Sequence, residues 1–516
     1  ASGLWRRRTR PPETPPTTRP AVQPTAAAMS AAAKQDVGAI DPVRNRPFIL
    51  PVDSEHKAMK INILSFAQPH MRSFHLSWMS FFTAFLSTFA AAPMIPVVRE
   101  NLNLTKGDLG NAGIAAVCGN ILGRVVMGWV CDTYGPRFGH SVLMLSTAPA
   151  VFCMSLVTTP IGFIMSRFVI GFGLATFVAT QFWSSSMFSG NCVGMANATT
   201  AGWGNLGGGV TQFIIPVIYG VFQNYYPNFY AWRCAFFIPG FMHIGVGIGV
   251  LYFAQDLPDG QYQDLKEKGS LETDGKKSFL NAVINYRMWV MVILYGLCFG
   301  VELTMNNIIV AYLYDQFDLP LRIAGILGAC FGLMNLFARS LGGFSSDLGG
   351  KYLGMRGRLW AYWIVQSLEA IFCIAMGYLE FTLAGTLTTM VLFSICVQMS
   401  EGAAYGVVPF ISKRSLGVVS GFIGAGGNAG CSVLMALYFK GDVFNGPVNE
   451  GIRYMGFTIL VITMLVWLMH FPMWGSMAFP PKRNADGTLL YTETDYYFSD
   501  WTEAEKKEGK HLAAAK

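Results

Sequence analysis

Two arginines set the chemistry open to this chain. The stretch 120–135, NILGRVVMGWVCDTYG, returns without a gap as 335–350, NLFARSLGGFSSDLGG, so that Asn120, Arg124, Gly128, Asp132 and Gly135 fall in register with Asn335, Arg339, Gly343, Asp347 and Gly350. Upstream, Gly113 and Gly328 also match. In each copy the Asn and Arg stand four residues apart inside a long apolar run, which puts them on one helix face about a turn apart. An arginine does not shed its proton in a protein, so burying it demands a negative partner. If the two face each other across a cavity, the missing partner is most simply an anion that comes and goes. At a separation of about 8 Å and an effective dielectric near 20, their repulsion is about 2 kcal/mol; an anion about 4 Å from each gains about 4 kcal/mol per contact. The flat guanidinium, with its paired donors, suits a flat oxyanion better than a lysine's point charge does. The competing reading is a structural salt bridge from each arginine to its own carboxylate.

A second motif is doubled. GWGNLGGG at 202–209 is echoed by AGGNAG at 425–430, with Gly204, Asn205 and Gly207 matching Gly427, Asn428 and Gly430. Gly204 with Gly208, and Gly426 with Gly430, have the spacing that lets membrane helices approach closely, and packing explains the glycines as well as ligand contact does. The embedded asparagines ask for more, because an unpaired amide in an apolar medium costs free energy. Each needs a neighbouring helix, a water or a polar ligand.

The elements that carry these motifs follow from composition. Of 516 residues, 52% are hydrophobic and 13% charged, with 56 glycines and 39 phenylalanines, which excludes a soluble protein of this size. The fold class expected is an all-α membrane protein of twelve transmembrane helices in two pseudo-symmetric six-helix bundles. Runs long enough to cross a bilayer fall at 74–97, 108–131, 139–158, 160–187, 194–222, 233–254, 288–313, 321–346, 359–380, 384–410, 415–439 and 453–478. The domains expected are a disordered tail over 1–60, a bundle over 72–254, a cytoplasmic linker over 255–286, a second bundle over 287–478 and a cytoplasmic tail over 479–516. Residues 1–45 are rich in Pro, Thr, Ala and Arg and cannot bury enough apolar surface to fold; Met29 opens MSAAAKQD and reads as a translation start. The ten cysteines are scattered singly, with no metal-ligand cluster, and read as small buried side chains. Most of the net +7 charge lies between spans, where it orients the protein and calls for no nucleic acid. Arg137 follows span 2, Lys351, Arg356 and Arg358 follow span 8, and Lys413 with Arg414 follows span 10. That clustering places the even-numbered exits and both termini in the cytoplasm.

Two matched halves are the signature of a transporter whose site lies near the bilayer midplane. The loop Gly128-x3-Asp132-x2-Gly135-Pro136-Arg137 resembles the loop motif of the major facilitator superfamily after span 2, and the glycine-asparagine segments resemble the two signatures of its nitrate/nitrite porter family. FHLSWMSFFTAFLSTFAAAP (74–93), NLNLTKGDLGNAGIA (101–115), FGVELTMNNIIVAYLYDQFDL (299–319) and FGLMNLFARSLGGFSSDLGG (331–350) resemble the high-affinity nitrate transporters of plants and algae. The resemblance runs from about Arg72 to the end of span 12; the amino-terminal extension has no counterpart.

The resemblance implies nitrate, with nitrite close behind, as the solute. Arg124 and Arg339 match the family's substrate-clasping arginines; Tyr295 and Phe299 match its aromatic pair in span 7 and Phe182 a third ring, with Phe82 or Phe85 as a fourth. Asn205, Asn428, Gly204 and Gly427 complete the expected substrate set. Moving an anion into a cell that is negative inside costs about 2.3 kcal/mol per 100 mV, so protons, the family's usual choice, are expected to travel with it. Glu302 and Glu401 are the candidate carriers, with Glu369 and Asp108 behind them, since a carboxyl held in an apolar run can load and release protons. A fixed structural counter-charge is the alternative for Glu302. His243 reads as a hydrogen-bonded packing residue. Asp132 with Arg137, and Asp347, read as gating residues that latch the cytoplasmic face and cap helices. A single-span accessory membrane protein is a further implied partner, and the plasma membrane the implied location. The reading is proton-coupled uptake by alternating access; the alternatives are nitrate/nitrite exchange, carriage of another small oxyanion, and a nitrate sensor without net transport. No cofactor or metal is called for, and without a nucleophile elbow, P-loop or ligand cluster the chain does not read as an enzyme.

Overall fold

The computed structural model describes residues 39–501 and 506, apart from 92–93, 269–274, 320, 380–381, 440–445, 485 and 487. The expectations for residues 1–38 lie outside these. Six spans make the first half: His70–Phe89, Lys106–Tyr134, Pro136–Leu156, Pro160–Met187, Val193–Gln223 and Asn228–Phe253. The second half begins with two broken spans, Tyr286–Gly296 continued by Phe299–Phe317, and Leu321–Leu333 continued through a 3-10 turn by Ala338–Leu353. Met355–Tyr378, Leu383–Phe410, Leu416–Tyr438 and Val448–Leu468 complete it.

Among the described residues, ten helices are long and apolar enough to cross a membrane. Spans 1 and 5, 20 and 31 residues long, carry Ser73, Ser77, Ser80 and Ser87, and Asn197, Thr199, Thr200 and Asn205. All eight are buried. These two helices turn polar side chains inward, where the protein interior satisfies them in place of water.

The doubled glycines make the halves fit. A methyl at Gly128 of span 2 would sit 2.6 Å from the Gly417 carbonyl oxygen of span 11, and one at Gly421 would sit 2.6 Å from the Arg124 carbonyl oxygen. In the other copy, Gly343 of span 8 abuts the Gly194 carbonyl of span 5, and a methyl at Gly202 would sit 2.7 Å from the Asn335 carbonyl oxygen. Spans 2 and 11, and spans 8 and 5, therefore cross backbone to backbone, the use of small residues expected between membrane helices.

The described parts of both tails pack on one end of the bundle, so residues 39–60 differ from the disorder expected of them. Within 39–60, Ile40–Asp41 pairs with Arg46–Pro47, and Ala58 donates to the Met187 carbonyl at 3.0 Å and accepts from Ser189 N at 2.9 Å. The reason is local: Ala58, bridged to the buried Val52, finds an apolar seat beside Met187 and Phe188 at the end of span 4. From this segment Glu55 reaches Lys413 of the second half at 2.9 Å. The carboxy-terminal tail is seated too, through buried Tyr497 and Trp501 and the Ser412–Asp500 hydrogen bond of 2.7 Å.

At that end two aspartates clasp across the halves. Asp132 of span 2 accepts from Gly417 N at 2.8 Å and Val418 N at 2.9 Å, in the first turn of span 11. Asp347 of span 8 accepts from Gly194 N at 3.0 Å and Met195 N at 2.7 Å, in the first turn of span 5, and takes Arg358 at 2.7 Å. A carboxylate on free amides at a helix start is a favourable charge-dipole contact. Arg137, after span 2, donates its backbone N–H to Asp256 at 2.7 Å and its guanidinium to the Leu251 carbonyl at 2.8 Å, a tie to span 6 and the linker.

Candidate functional site

Both arginines are fully buried, at 0% exposure, and share one ring: Phe299 lies 5.3 Å from the Arg124 guanidinium carbon and 5.8 Å from that of Arg339. The break in span 7 separates Tyr295 from Phe299 and leaves their rings stacked at 5.6 Å and 18°. Gly427 makes the room, since a methyl there would come within 2.6 Å of the Phe299 ring and 3.0 Å of the Tyr295 ring. Tyr405 closes the cage edge-on to Tyr295 at 5.3 Å.

The two guanidiniums are held differently. Arg124 donates to Asn120 Oδ1 at 3.0 Å and to the Gly424 carbonyl at 2.7 Å, with the Phe177 ring 4.6 Å from its carbon. Its Nη2 has no hydrogen-bond partner among the described residues. Asn120 in turn donates to Asn428 Oδ1 at 2.9 Å, joining span 2 to span 11 through neutral groups. Arg339 donates to the Tyr295 hydroxyl at 2.6 Å, forms an ion pair through Nη1 with Glu401, and lies 3.9 Å from Glu302. Asn335 donates to the same Glu302 at 2.6 Å. The expectation that neither arginine has a resident counter-ion thus holds for Arg124 alone. Span 10 brings Glu401 to Arg339 because Gly402, against the Arg339 carbonyl, lets the two helices touch there.

The remaining expectations resolve by position. Asn205, 6% exposed, has no partner on either side-chain atom. Gly204 makes room for the Phe81 ring. Phe182 makes its ring contact with Tyr262 of the linker at 6.5 Å, and Phe177, five residues earlier, takes the place expected of it beside Arg124. The 3-10 turn at Gly173–Ala175 changes the helical phase of span 4 between them and the span's start. Of the span-1 rings, Phe81 meets Phe177 at 5.5 Å and stands edge-on to Phe85 at 5.0 Å. A glycine signal finds it: Gly207 abuts the Phe82 carbonyl as Gly430 abuts that of Gly296, so Phe81 and Phe85 correspond to Tyr295 and Phe299. His243 lies 2.5 Å from Ser87 Oγ and 3.4 Å from Thr147 Oγ1. Asp108 forms a capping box with Thr105 at the start of span 2. A further guanidinium in a span, Arg167, donates to the Thr88 carbonyl.

A twelve-span bundle in matched halves around a buried cationic centre is the architecture of a secondary carrier. The Major Facilitator Superfamily profile matches residues 77–435. The chain is similar in structure to the fucose:proton symporter of E. coli, at a TM-score of 0.59 with 12% identity, covering 77% of this chain and 98% of that one. It is similar to a human organic anion transporter at 0.57 with 11% identity, covering 77% and 99%. In sequence it is 49% identical over 483 residues to high affinity nitrate transporter 2.5 of Arabidopsis thaliana, covering 93% of this chain and 95% of that protein. It is 47% identical to nitrate transporter 2.1 of Chlamydomonas reinhardtii, covering 89% and 84%. The chain belongs to the major facilitator superfamily and, within it, to the family of the plant and algal high-affinity nitrate transporters.

Proposed function

We propose that the protein takes up nitrate together with protons by alternating access, with Arg124 and Arg339 holding the anion between the bundles. The observation that carries the proton step is the Arg339–Glu401 ion pair. With both arginines charged and both Glu302 and Glu401 ionised, the closed centre is neutral. An arriving anion adds one negative charge, and a proton on Glu401 both cancels it and frees Arg339 Nη1 for the anion. Proton and anion therefore load together because each makes room for the other. Glu302, held by Asn335, stays as the fixed counter-charge or takes a second proton, which would make uptake electrogenic and let a negative-inside potential drive it by about 2.3 kcal/mol per 100 mV.

Within this reading, Arg124 Nη2 and the unpartnered Asn205 amide are free donors for the anion's oxygens. Phe299, Tyr295 and Phe177 exclude water and sandwich the flat solute. Asn428 braces Arg124 through Asn120, and Gly204 and Gly427 act by seating rings. Asp132 and Asp347 close the cytoplasmic end, with both termini on that side and the protein in the plasma membrane. Nitrite fits the same donors, and a relative from Picosynechococcus, 25% identical, carries the name nitrate/nitrite transporter. A single-span partner protein is retained as part of the proposal by family likeness.

The test is uptake of labelled nitrate into proteoliposomes holding the full chain, with an inward acid gradient. Accumulation that collapses with a proton ionophore is expected. Equal uptake without the gradient would replace symport by exchange, and nitrate binding without uptake would make the protein a sensor.

A further inference from the structure

Glu369, in the middle of span 9, has no place in the mechanism above. It is 0% exposed, neither carboxyl oxygen has an ion-pair partner among the described residues, and the polar side chain beside it is the Ser400 hydroxyl. One turn away, Gln366 donates to the Leu294 carbonyl at 3.0 Å, so this face of span 9 looks at the broken part of span 7. One turn the other way, Cys373 reaches the Ile452 carbonyl of span 12. The titratable groups around Glu369 are Cys298 of span 7, Tyr362 and Cys373 of span 9, and Cys396 and Glu401 of span 10. None is a cation. The nearest charge described on span 12, Arg453, lies two turns away against Gly377, 3.6 Å from Glu450. A bare carboxylate in such a place forfeits its hydration and receives nothing in return, whereas a neutral carboxyl does not.

We propose that Glu369 holds a proton in the resting transporter and passes it to Glu401 when the arriving anion displaces Glu401 from Arg339. The O–H bond on Glu369 breaks and one forms on Glu401; Glu369, left ionised, takes a proton from hydronium on the side the anion came from before that side closes, and Glu401 releases its proton with the anion on the other side, so one proton moves per anion. The Ser400 hydroxyl lies beside Glu369 and next in the chain to Glu401. It donates to the Cys396 carbonyl at 2.9 Å, which leaves its oxygen as the acceptor along the path. The inference rests on the symport reading, which needs a proton to reach a dry ion pair but names no donor.

Two measurements on the full chain test it. In proteoliposomes, acid-driven accumulation by Glu369→Gln is expected to fall by about 100-fold, the low side of what a positioned proton donor contributes, while Glu369→Asp, which keeps a carboxyl that can hold and pass a proton, is expected to retain most of it. Accumulation by Glu369→Gln at the unaltered level, or equal loss in both variants, would overturn the proposal. In infrared difference spectra at neutral pH, a protonated-carboxyl band present in the unaltered protein should vanish in Glu369→Gln. Its absence would defeat the Glu369 proposal even if symport holds, and its presence would leave Glu369 a proton holder even if uptake proves to be exchange.

Discussion

The two halves begin from one motif and finish with different electrostatics. Around Arg124 every contact is neutral: an amide, a carbonyl and the faces of Phe177 and Phe299. Around Arg339 there are two carboxylates and a phenol. The difference extends through the bundles, because over 72–254 the acids are Glu100, Asp108 and Asp132, all near span ends, while Glu302, Glu369 and Glu401 lie inside spans of the second half. On the proposed reading, the first half holds the solute through fixed groups and the second half, whose carboxyls can change charge, responds to it.

The sharpest way to break this comparison is to replace each arginine in turn. Arg124→Lys and Arg339→Lys should each lower nitrate uptake about 100-fold or more, the scale set by removing a preorganised donor from a dry site. Lysine at 339 can still pair with Glu401, so its folding should be nearly normal. Normal transport by either variant, measured with labelled nitrate, would end the clasp. Next comes Glu401→Gln, which strands Arg339 beside Glu302 alone. Losing one partner of a buried pair costs about 3–5 kcal/mol, so the melting temperature should drop, and added nitrate should restore more of it than in the unaltered protein, by filling the vacated contact. Equal nitrate stabilisation of both proteins would show that Glu401 does not compete with the anion.

Gly427→Ala and Gly204→Ala compare the ring seats. Each should cost about 1–3 kcal/mol through overpacking. Only Gly427→Ala should also raise the KM for nitrate, because it displaces Phe299 from between the arginines. Equal KM effects would blur the distinction between the halves. The smallest effect is expected at the Glu55–Lys413 contact. Lys57 first, and Lys413 after it, hold the Glu55 carboxyl down to about 2 from its ordinary 4.5. Its support for the closed end is therefore complete above about pH 4.5 and fades as pH falls toward 2. Nitrate uptake by Glu55→Gln should follow the same pH profile across the neutral range as that of the unaltered protein, and a profile altered near neutrality would assign the pH response to this contact.

Most of the architecture was legible because bilayer thickness and the Asn-x3-Arg repeat are written in the order of residues. The site was legible as a set of types: the arginines, Tyr295, Phe299, Glu302 and Glu401 could all be named, and the structure brings them together. What escaped were contacts between spans. Whether Glu401 meets Arg339 depends on how closely spans 10 and 8 cross, which Gly402 sets and no periodicity reveals. Phe177 rather than Phe182 faces Arg124 because a single 3-10 turn resets the phase of span 4. The tails escaped because a few apolar residues, Val52, Ala58, Tyr497 and Trp501, are too sparse to signal order until the surface that receives them exists.

The crossed aspartate clasps constrain how the molecule can move. Each carboxylate holds two backbone amides of the opposite half, and both clasps lie at the tail-bearing rim. Under the proposed alternating access, swinging one half away as a rigid body would strain both at once, so the two clasps are expected to part together and a leak through a half-open seam to be suppressed.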